Sequence, residues 1–104
     1  MTMEHLTSLL AERIMGWSVA PGRFLTGDRR WKPRWRFQPT ESLVDAFQLL
    51  DAARPEEYSM GARGAGQFWA RVRLHDSVGE AQDRSKPRAI TYALARALGI
   101  QVDQ

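Results

Sequence analysis

The chain of 104 residues contains no cysteine. This absence excludes disulfide bonds, zinc sites built from thiolates and cysteine nucleophiles, so packing must stabilise the fold. Histidine is also scarce: His5 and His75 are the only two, and neither lies in a pattern of carboxylates with metal-ligand spacing. We expect no metal, no cofactor and no metal-assisted chemistry.

The sequence also lacks a long hydrophobic run. From Met1 to Gly16, acids and polar residues interrupt the apolar pattern, which is unlike a signal peptide or a membrane span. Hydrophobic residues make up 43% and charged residues 26%, which is ordinary for a globular protein. We expect a single domain over residues 1–104, located in the cytoplasm and not in a membrane.

Lysine is rare, whereas arginine is abundant. Lys32 and Lys86 are the only lysines among fifteen basic residues, which leaves thirteen arginines. Six basic residues and one acid, Asp28, lie between Pro21 and Pro39, and their net charge of +5 exceeds the +3 of the whole chain. The basic residues are Arg23, Arg29, Arg30, Lys32, Arg34 and Arg36, and Trp31, Trp35 and Phe37 lie among them. Such a cluster suits an anionic partner, although genomic base composition would also raise the arginine content.

The first half of the chain predicts two helices and one strand. Apolar spacing predicts a helix from Met3 to Met15, with Thr2 as its cap and Gly16 as its end. A short extended segment at Trp17 to Val19 and an irregular loop with Pro21, Gly22, Gly27 and Asp28 follow. The alternation in Arg34 to Phe37 predicts a strand, and Thr40 is the expected cap of a helix that Pro55 ends.

The second half predicts a hairpin and a last helix. Tyr58 to Arg63 and Gln67 to His75 read as two strands, and the polar stretch Asp76 to Arg84 reads as a loop. Ser85 is the expected cap of a helix that runs to Gly99, and Ile100 to Val102 is expected to trail as an extended tail. This order of elements predicts an α+β fold with three helices and a small, mostly antiparallel sheet.

Three segments form a pattern in chain order: Ala11-Glu12-Arg13-Ile14-Met15-Gly16-Trp17, Pro39-Thr40-Glu41-Ser42-Leu43-Val44-Asp45-Ala46-Phe47, and Ser85-Lys86-Pro87-Arg88-Ala89-Ile90-Thr91-Tyr92-Ala93-Leu94. Together they resemble the phage ABA-sandwich family of small phage and prophage proteins. The resemblance implies an α-β-α layered sandwich of viral origin, present in the cytoplasm of a host cell, with no established activity. It assigns no functional residue, and the run from Arg29 to Arg36 is more basic than the family pattern.

The most specific functional prediction is a basic and aromatic binding surface. If the strand around Arg34 paired beside Gln67 to His75, arginines of both strands would share one sheet face with Trp69. The candidate partner-binding residues are Arg29, Arg30, Trp31, Lys32, Arg34, Arg36, Trp69, Arg71 and Arg73. The structural alternative is that a helix covers this face, the arginine stems pack over apolar surface, and their heads pair with Glu41, Asp45, Glu56 or Glu57.

The four tryptophans have different expected environments, and Trp69 is the one already assigned to the candidate surface. Trp17 and Trp35 are expected in the core because their patterns point inward. Trp31 lies among charges, so an exposed binding anchor and a plug that pins a loop both remain open.

The sequence offers no catalytic constellation. Gly61, Gly64 and Gly66 precede a predicted strand, whereas a nucleotide-binding glycine loop precedes a helix. Serines lack the small-residue elbow that presents a nucleophile. We therefore expect no enzyme, and the first hypothesis is a phage accessory protein that binds an acidic protein surface, such as an inhibitor of a CRISPR-type defence system. The alternatives are a nucleic-acid-binding regulator or packaging factor and a structural virion or assembly component, and the chain is expected as a monomer or small homo-oligomer.

Overall fold

The computed structural model describes residues 2–102. Over this range the chain forms three α-helices and two separate antiparallel sheets, each with three strands. The helices are α1 (Met3–Leu10), α2 (Leu43–Ala53) and α3 (Lys86–Ala97). The first sheet contains β1 (Ser18–Ala20), β2 (Arg23–Leu25) and β3 (Trp31–Pro33), and the second contains β4 (Glu57–Arg63), β5 (Gln67–Leu74) and β6 (Ser77–Asp83). The predicted α+β fold with three helices is confirmed, with two sheets in place of one.

The first predicted helix is confirmed at both ends. The Thr2 hydroxyl accepts a hydrogen bond from the His5 amide at 3.1 Å, which satisfies a free amide in the first turn. After α1 the backbone continues as a π-helical turn over Ala11–Met15. Gly16 then ends the helix with φ at 71°, a left-handed conformation that glycine adopts without a side-chain clash.

The predicted strand from Arg34 to Phe37 is wrong. Arg34–Arg36 form a 3-10 turn, and the Phe37 amide donates to the Arg34 carbonyl at 3.1 Å. The strand lies just before it, at β3, and ends at Pro33, which lacks the amide needed to continue a ladder. Its partner β2 occupies part of the segment predicted as an irregular loop, with Leu25 opposite Trp31 and Arg23 opposite Pro33.

The predicted hairpin is confirmed, but the loop predicted from Asp76 to Arg84 is wrong. Most of that segment is β6, which pairs with β5 along its whole length. The positions of β6 that face the core are Gly79 and Ala81, both buried. Because these residues are so small, the alternation of apolar and polar side chains that marks a strand is faint in the sequence.

Serine residues cap the N-termini of both α2 and α3. Ser85 caps α3 as predicted, since its hydroxyl accepts from the Arg88 amide at 3.4 Å. Ser42, and not Thr40, caps α2, with the Asp45 amide 3.3 Å from its hydroxyl. The extended tail predicted from Ile100 to Val102 forms no strand, and Ile100 is buried against the core.

Helix α3 lies at the centre of the fold. It packs against β5 and β6 on one side and against α2 on another, so that eight of its twelve residues are buried. The Thr91 hydroxyl donates to the Pro39 carbonyl at 2.8 Å inside the protein, which ties α3 to the segment before α2. None of the helices within residues 2–102 is long and apolar enough to cross a membrane.

Helix α3 packs directly against the backbone of β6 at Gly79. A Cβ atom at Gly79 would overlap the backbone at Ala93 and Ala97, which lie one helical turn apart on the same side of α3. Alanine on the helix and glycine on the strand let the two backbones approach each other. A larger residue at position 79 would have to push the whole helix away from the sheet.

Gly79→Ala is expected to lower the free energy of unfolding by about 3 kcal/mol or more, because the clash is with backbone and not with a movable side chain. The matched control is Gly64→Ala in the hairpin turn, where an added Cβ meets nothing within 4 Å. The control is expected to stay within about 0.5 kcal/mol of the parent. Chemical denaturation followed by circular dichroism measures both, and equal stability of the two variants would contradict the packing described here.

Candidate binding surface

The loop between β2 and β3 exposes two arginines at its tip. The Thr26 amide donates to the Arg30 carbonyl and the Arg29 amide donates to the Thr26 carbonyl, each at 2.9 Å. These bonds close a three-residue hairpin loop, and Arg29 occupies its last position with φ at 61°. Both Arg29 and Arg30 are exposed to solvent. A short, hydrogen-bonded loop therefore holds the two charges in place.

A second basic residue, Arg23, stacks on the exposed Trp31. The register of β2 and β3 places both side chains on the same face of the small sheet. The Arg23 guanidinium carbon lies 3.9 Å from the centre of the Trp31 ring, a close cation–π contact. Trp31 nevertheless remains 51% exposed. The guanidinium contact orients the indole, and its large apolar area stays available for contact.

Asp28, the one acid of the β2–β3 loop, partly offsets the positive charge of the loop. The Thr26 hydroxyl donates to Oδ1 of Asp28, and Nε of Arg30 lies 3.5 Å from Oδ2. The Thr26 hydrogen bond and, to a smaller extent, the Arg30 charge hold the pKa of Asp28 below its ordinary value. The Asp28–Arg30 pair is highly exposed, so it exchanges readily with solvent or with a partner's charge.

Two of the predicted binding residues, Lys32 and Arg34, serve the fold. The Lys32 ammonium lies 5.4 Å from the centre of the Trp17 ring, on the inner side of the small sheet. The Arg34 guanidinium lies 4.8 Å from the Phe24 ring centre and donates to the Glu4 carbonyl at 3.1 Å and to the Ser8 hydroxyl at 2.6 Å. Arg34 thus fastens the small sheet to α1 through both terminal nitrogens of its guanidinium.

Trp35 and Arg36 lie on the 3-10 turn after β3. The prediction that Trp35 belongs to the core is wrong, because the turn directs it outward and leaves it 71% exposed. The Arg36 guanidinium carbon is 5.9 Å from its ring centre. Trp35 also lines an open cleft of about 440 Å³ between α1 and the turn. Trp17, by contrast, is buried as predicted.

The remaining predicted residues, Trp69, Arg71 and Arg73, belong to the second sheet. The pairing that would place them beside Arg34 and Arg36 does not form, because β3 pairs with β2. Arg71 pairs with Glu80 at 3.3 Å, and Arg73 lies 3.6 Å from Glu56 and 3.3 Å from Glu57. The ion pairing expected in the structural alternative is seen for Arg73 with Glu56 and Glu57, but α3 covers the opposite face of the sheet and leaves Arg71 and Arg73 exposed.

Trp69 covers a glycine in the neighbouring strand. A Cβ at Gly61 would lie 2.9 Å from the Trp69 indole nitrogen, so the ring lies directly over the bare backbone. Aromatic residues stabilise sheets at glycine positions by covering them in this way. The face that carries Trp69 has acids beside its arginines and is not a basic surface.

We use the term arginine–tryptophan surface for the exposed residues of the β2–β3 hairpin and the turn after it. Its members are Arg23, Arg29, Arg30, Trp31, Trp35 and Arg36. Asp28 is the one acid in the sequence between Arg23 and Arg36, and Glu4 and Glu41 line the cleft beside Trp35. The sequence prediction missed the role of Arg23, because only the unexpected strand β2 brings it onto Trp31. Within residues 2–102 no three histidine, aspartate or glutamate side chains are grouped to hold a metal ion.

Comparison with known proteins identifies a fold but no family. A solved structure of a phage protein from Bacillus cereus superposes with a TM-score of 0.78. The match covers 99% of this chain and 93% of the phage protein, at 14% sequence identity. No family model matches the chain, so the resemblance to the ABA-sandwich family remains a resemblance. No curated protein matches either.

Arginines that hold the fold together and arginines that are only exposed should differ in their effect on the stability of the protein when they are replaced. Arg34→Ala removes two hydrogen bonds from a charged donor and the contact with Phe24, and is expected to cost about 2 kcal/mol. Arg36→Ala, on the same turn, is expected to change the free energy of unfolding by less than about 0.5 kcal/mol. Thermal and urea denaturation measure both variants. An Arg34 variant as stable as the Arg36 variant would show that Arg34 is free for another role.

Proposed function

We propose that this protein is a phage or prophage accessory protein that acts by binding, through the arginine–tryptophan surface, to an acidic surface on a partner protein. The observation that carries the proposal is the exposed Trp31 with the Arg23 guanidinium stacked on it at 3.9 Å. The arginines at the loop tip continue the same hairpin. Arginine and tryptophan are the residues most enriched among those that dominate binding energy at protein interfaces.

The fold does not account for these side chains. Folding buries apolar rings, yet Trp31 and Trp35 remain largely exposed while Trp17, Phe24 and Phe37 form the aromatic core. Arg29 holds a left-handed conformation that glycine or asparagine would adopt at lower cost. A binding role supplies a reason for an exposed aromatic pair surrounded by arginines.

A protein partner fits the surface better than a nucleic acid does. Stacking of a base requires an open ring face, and Arg23 covers one of the two faces of Trp31, so a base could stack only on the other. Asp28 also interrupts the arginines at the tip of the hairpin, whereas a nucleic-acid backbone presents an unbroken row of phosphates. An acidic protein surface could instead exchange its carboxylates for Asp28 as the partner of Arg30.

The structural similarity to the Bacillus cereus phage protein supports a phage origin in this proposal, and the arginine–tryptophan surface supports action by binding. Inhibition of a bacterial defence system, such as a CRISPR effector, is a specific form of this proposal. A small domain whose function is to occlude a partner's site needs a rigid binding surface and no catalytic group. This form of the proposal implies an effector with a functional acidic patch.

The direct test is capture of partners from host lysate by the tagged protein, after nuclease treatment. Arg29→Glu with Arg30→Glu is expected to weaken binding of the captured partner at least about tenfold, because it reverses both charges at the loop tip. Trp31→Ala is expected to weaken it by a similar factor or more. Arg34 is left unchanged in these variants because its loss would disturb the fold.

The matched control reverses two exposed arginines elsewhere, Arg13→Glu with Arg84→Glu, which gives the same net charge. It is expected to retain binding. Equal loss in the control, or full binding by the folded loop-tip variant, would refute the proposed surface. Capture of nuclease-sensitive material alone, with affinity that falls steeply as salt rises, would support a nucleic-acid-binding protein instead.

A further inference from the structure

The second sheet has two outer strands, and their edges differ. Strand order β4-β5-β6 leaves one edge of β4 and one edge of β6 without a strand partner in the described part of the chain. At β6, the Arg96 guanidinium donates to the Glu80 carbonyl at 2.7 Å and to the Val102 carbonyl at 3.1 Å. This arginine bridges β6 and the segment after α3, so it occupies a backbone acceptor of β6. The β4 edge is the more accessible template for another strand.

The sequence of β4 is self-complementary in the antiparallel direction. If two copies pair about Met60, Glu57 of each lies opposite Arg63 of the other, and this happens twice because the arrangement is symmetric. Both side chains point to the solvent-exposed face of the sheet, where opposite charges across strands stabilise pairing. We infer that β4 is a homodimer interface, through which two copies form one continuous six-stranded sheet.

The other face of β4 fits the same register. Tyr58, Met60 and Ala62 point to the side that α3 covers over β5 and β6. The helix leaves this strand partly open: Tyr58 is 48% exposed, Ala62 is exposed and Met60 is only partly buried. Pairing about Met60 places the large Tyr58 opposite the small Ala62 and joins the two Met60 side chains at the symmetry axis. Apolar side chains would then cover one another along the whole strand.

The β6 edge does not share this property. Antiparallel pairing of two β6 strands over their full length is centred on Glu80 and would oppose two like charges. The charge pattern therefore selects β4. This dimer lies on the second sheet and does not depend on the function proposed for the arginine–tryptophan surface.

The two charged residues of β4 already make contacts within their own chain. Glu57 already lies 3.3 Å from Arg73 of its own chain, and the Arg63 guanidinium carbon lies 6.0 Å from the Trp69 ring centre. Neither contact blocks the outer side of the strand. Glu57 would lie between Arg73 and the Arg63 of the second copy.

Sedimentation velocity of the purified protein across the micromolar range tests the inference. The wild type is expected to dimerise reversibly. Glu57→Lys alone and Arg63→Glu alone are each expected to raise the dimer dissociation constant at least about tenfold, since each opposes like charges at both pairs. An equimolar mixture of the two variants restores opposite charges at both positions and is expected to form heterodimers with near wild-type affinity.

The mixture separates an interface from a folding defect, because a misfolded variant would not be rescued by its complement. Glu80→Lys, the same charge change at the other edge, is expected to leave the dissociation constant unchanged. A wild type that stays monomeric across the range would overturn the inference. So would single variants that dimerise as tightly as wild type, or a mixture that associates no better than either variant alone.

Discussion

The rest of the structure depends on the close contact between α3 and β6. At Gly79 the sheet presents bare backbone to the helix, and the backbone of Ala93 and Ala97 lies directly against it. Helix α3 lies close against the sheet on one side and packs against α2 on another. It is therefore a buried central element. A domain of about 100 residues has little core to spare, so one helix that serves two packing layers is an efficient use of apolar surface.

The basic cluster divides into an inner and an outer set, and the inner set holds the outer one in place. Lys32 lies over the ring of Trp17, and Arg34 lies over the ring of Phe24 and connects the turn after β3 to α1. Those rings, with Phe37, form an aromatic cluster whose ring centres are 4.9 to 5.9 Å apart. The exposed arginines therefore extend from a hairpin that is anchored by cation–π contacts and aromatic packing, which lowers the entropy lost on binding.

The sequence predicts those elements whose signals are local. The caps Thr2 and Ser85, the stop at Gly16 and the β4–β5 hairpin follow from hydrogen-bonding chemistry and turn residues. Sequence-based prediction fails where close packing requires small residues. Strand β6 faces the core with Gly79 and Ala81, whose small side chains give no clear alternation of apolar and polar positions. It fails again at Trp35, where an alternating four-residue segment fits a strand and a 3-10 turn equally. The sequence therefore indicates the segment that carries the proposed surface but not the place of Arg23 in it, since Arg23 lies beside Trp31 only through β2.

The two inferred interfaces lie on different sheets, and this separation has a physical consequence. A homodimer through β4 would carry two arginine–tryptophan surfaces related by a twofold axis, each on its own hairpin. A partner that presents two acidic surfaces at the matching distance would be bound at both, and the second contact would form at a high effective concentration without any new interaction. A partner with one such surface would gain nothing from the dimer. The charge pair at Glu57 and Arg63 could therefore tune the apparent affinity for a repetitive or symmetric partner while the binding residues themselves stay unchanged.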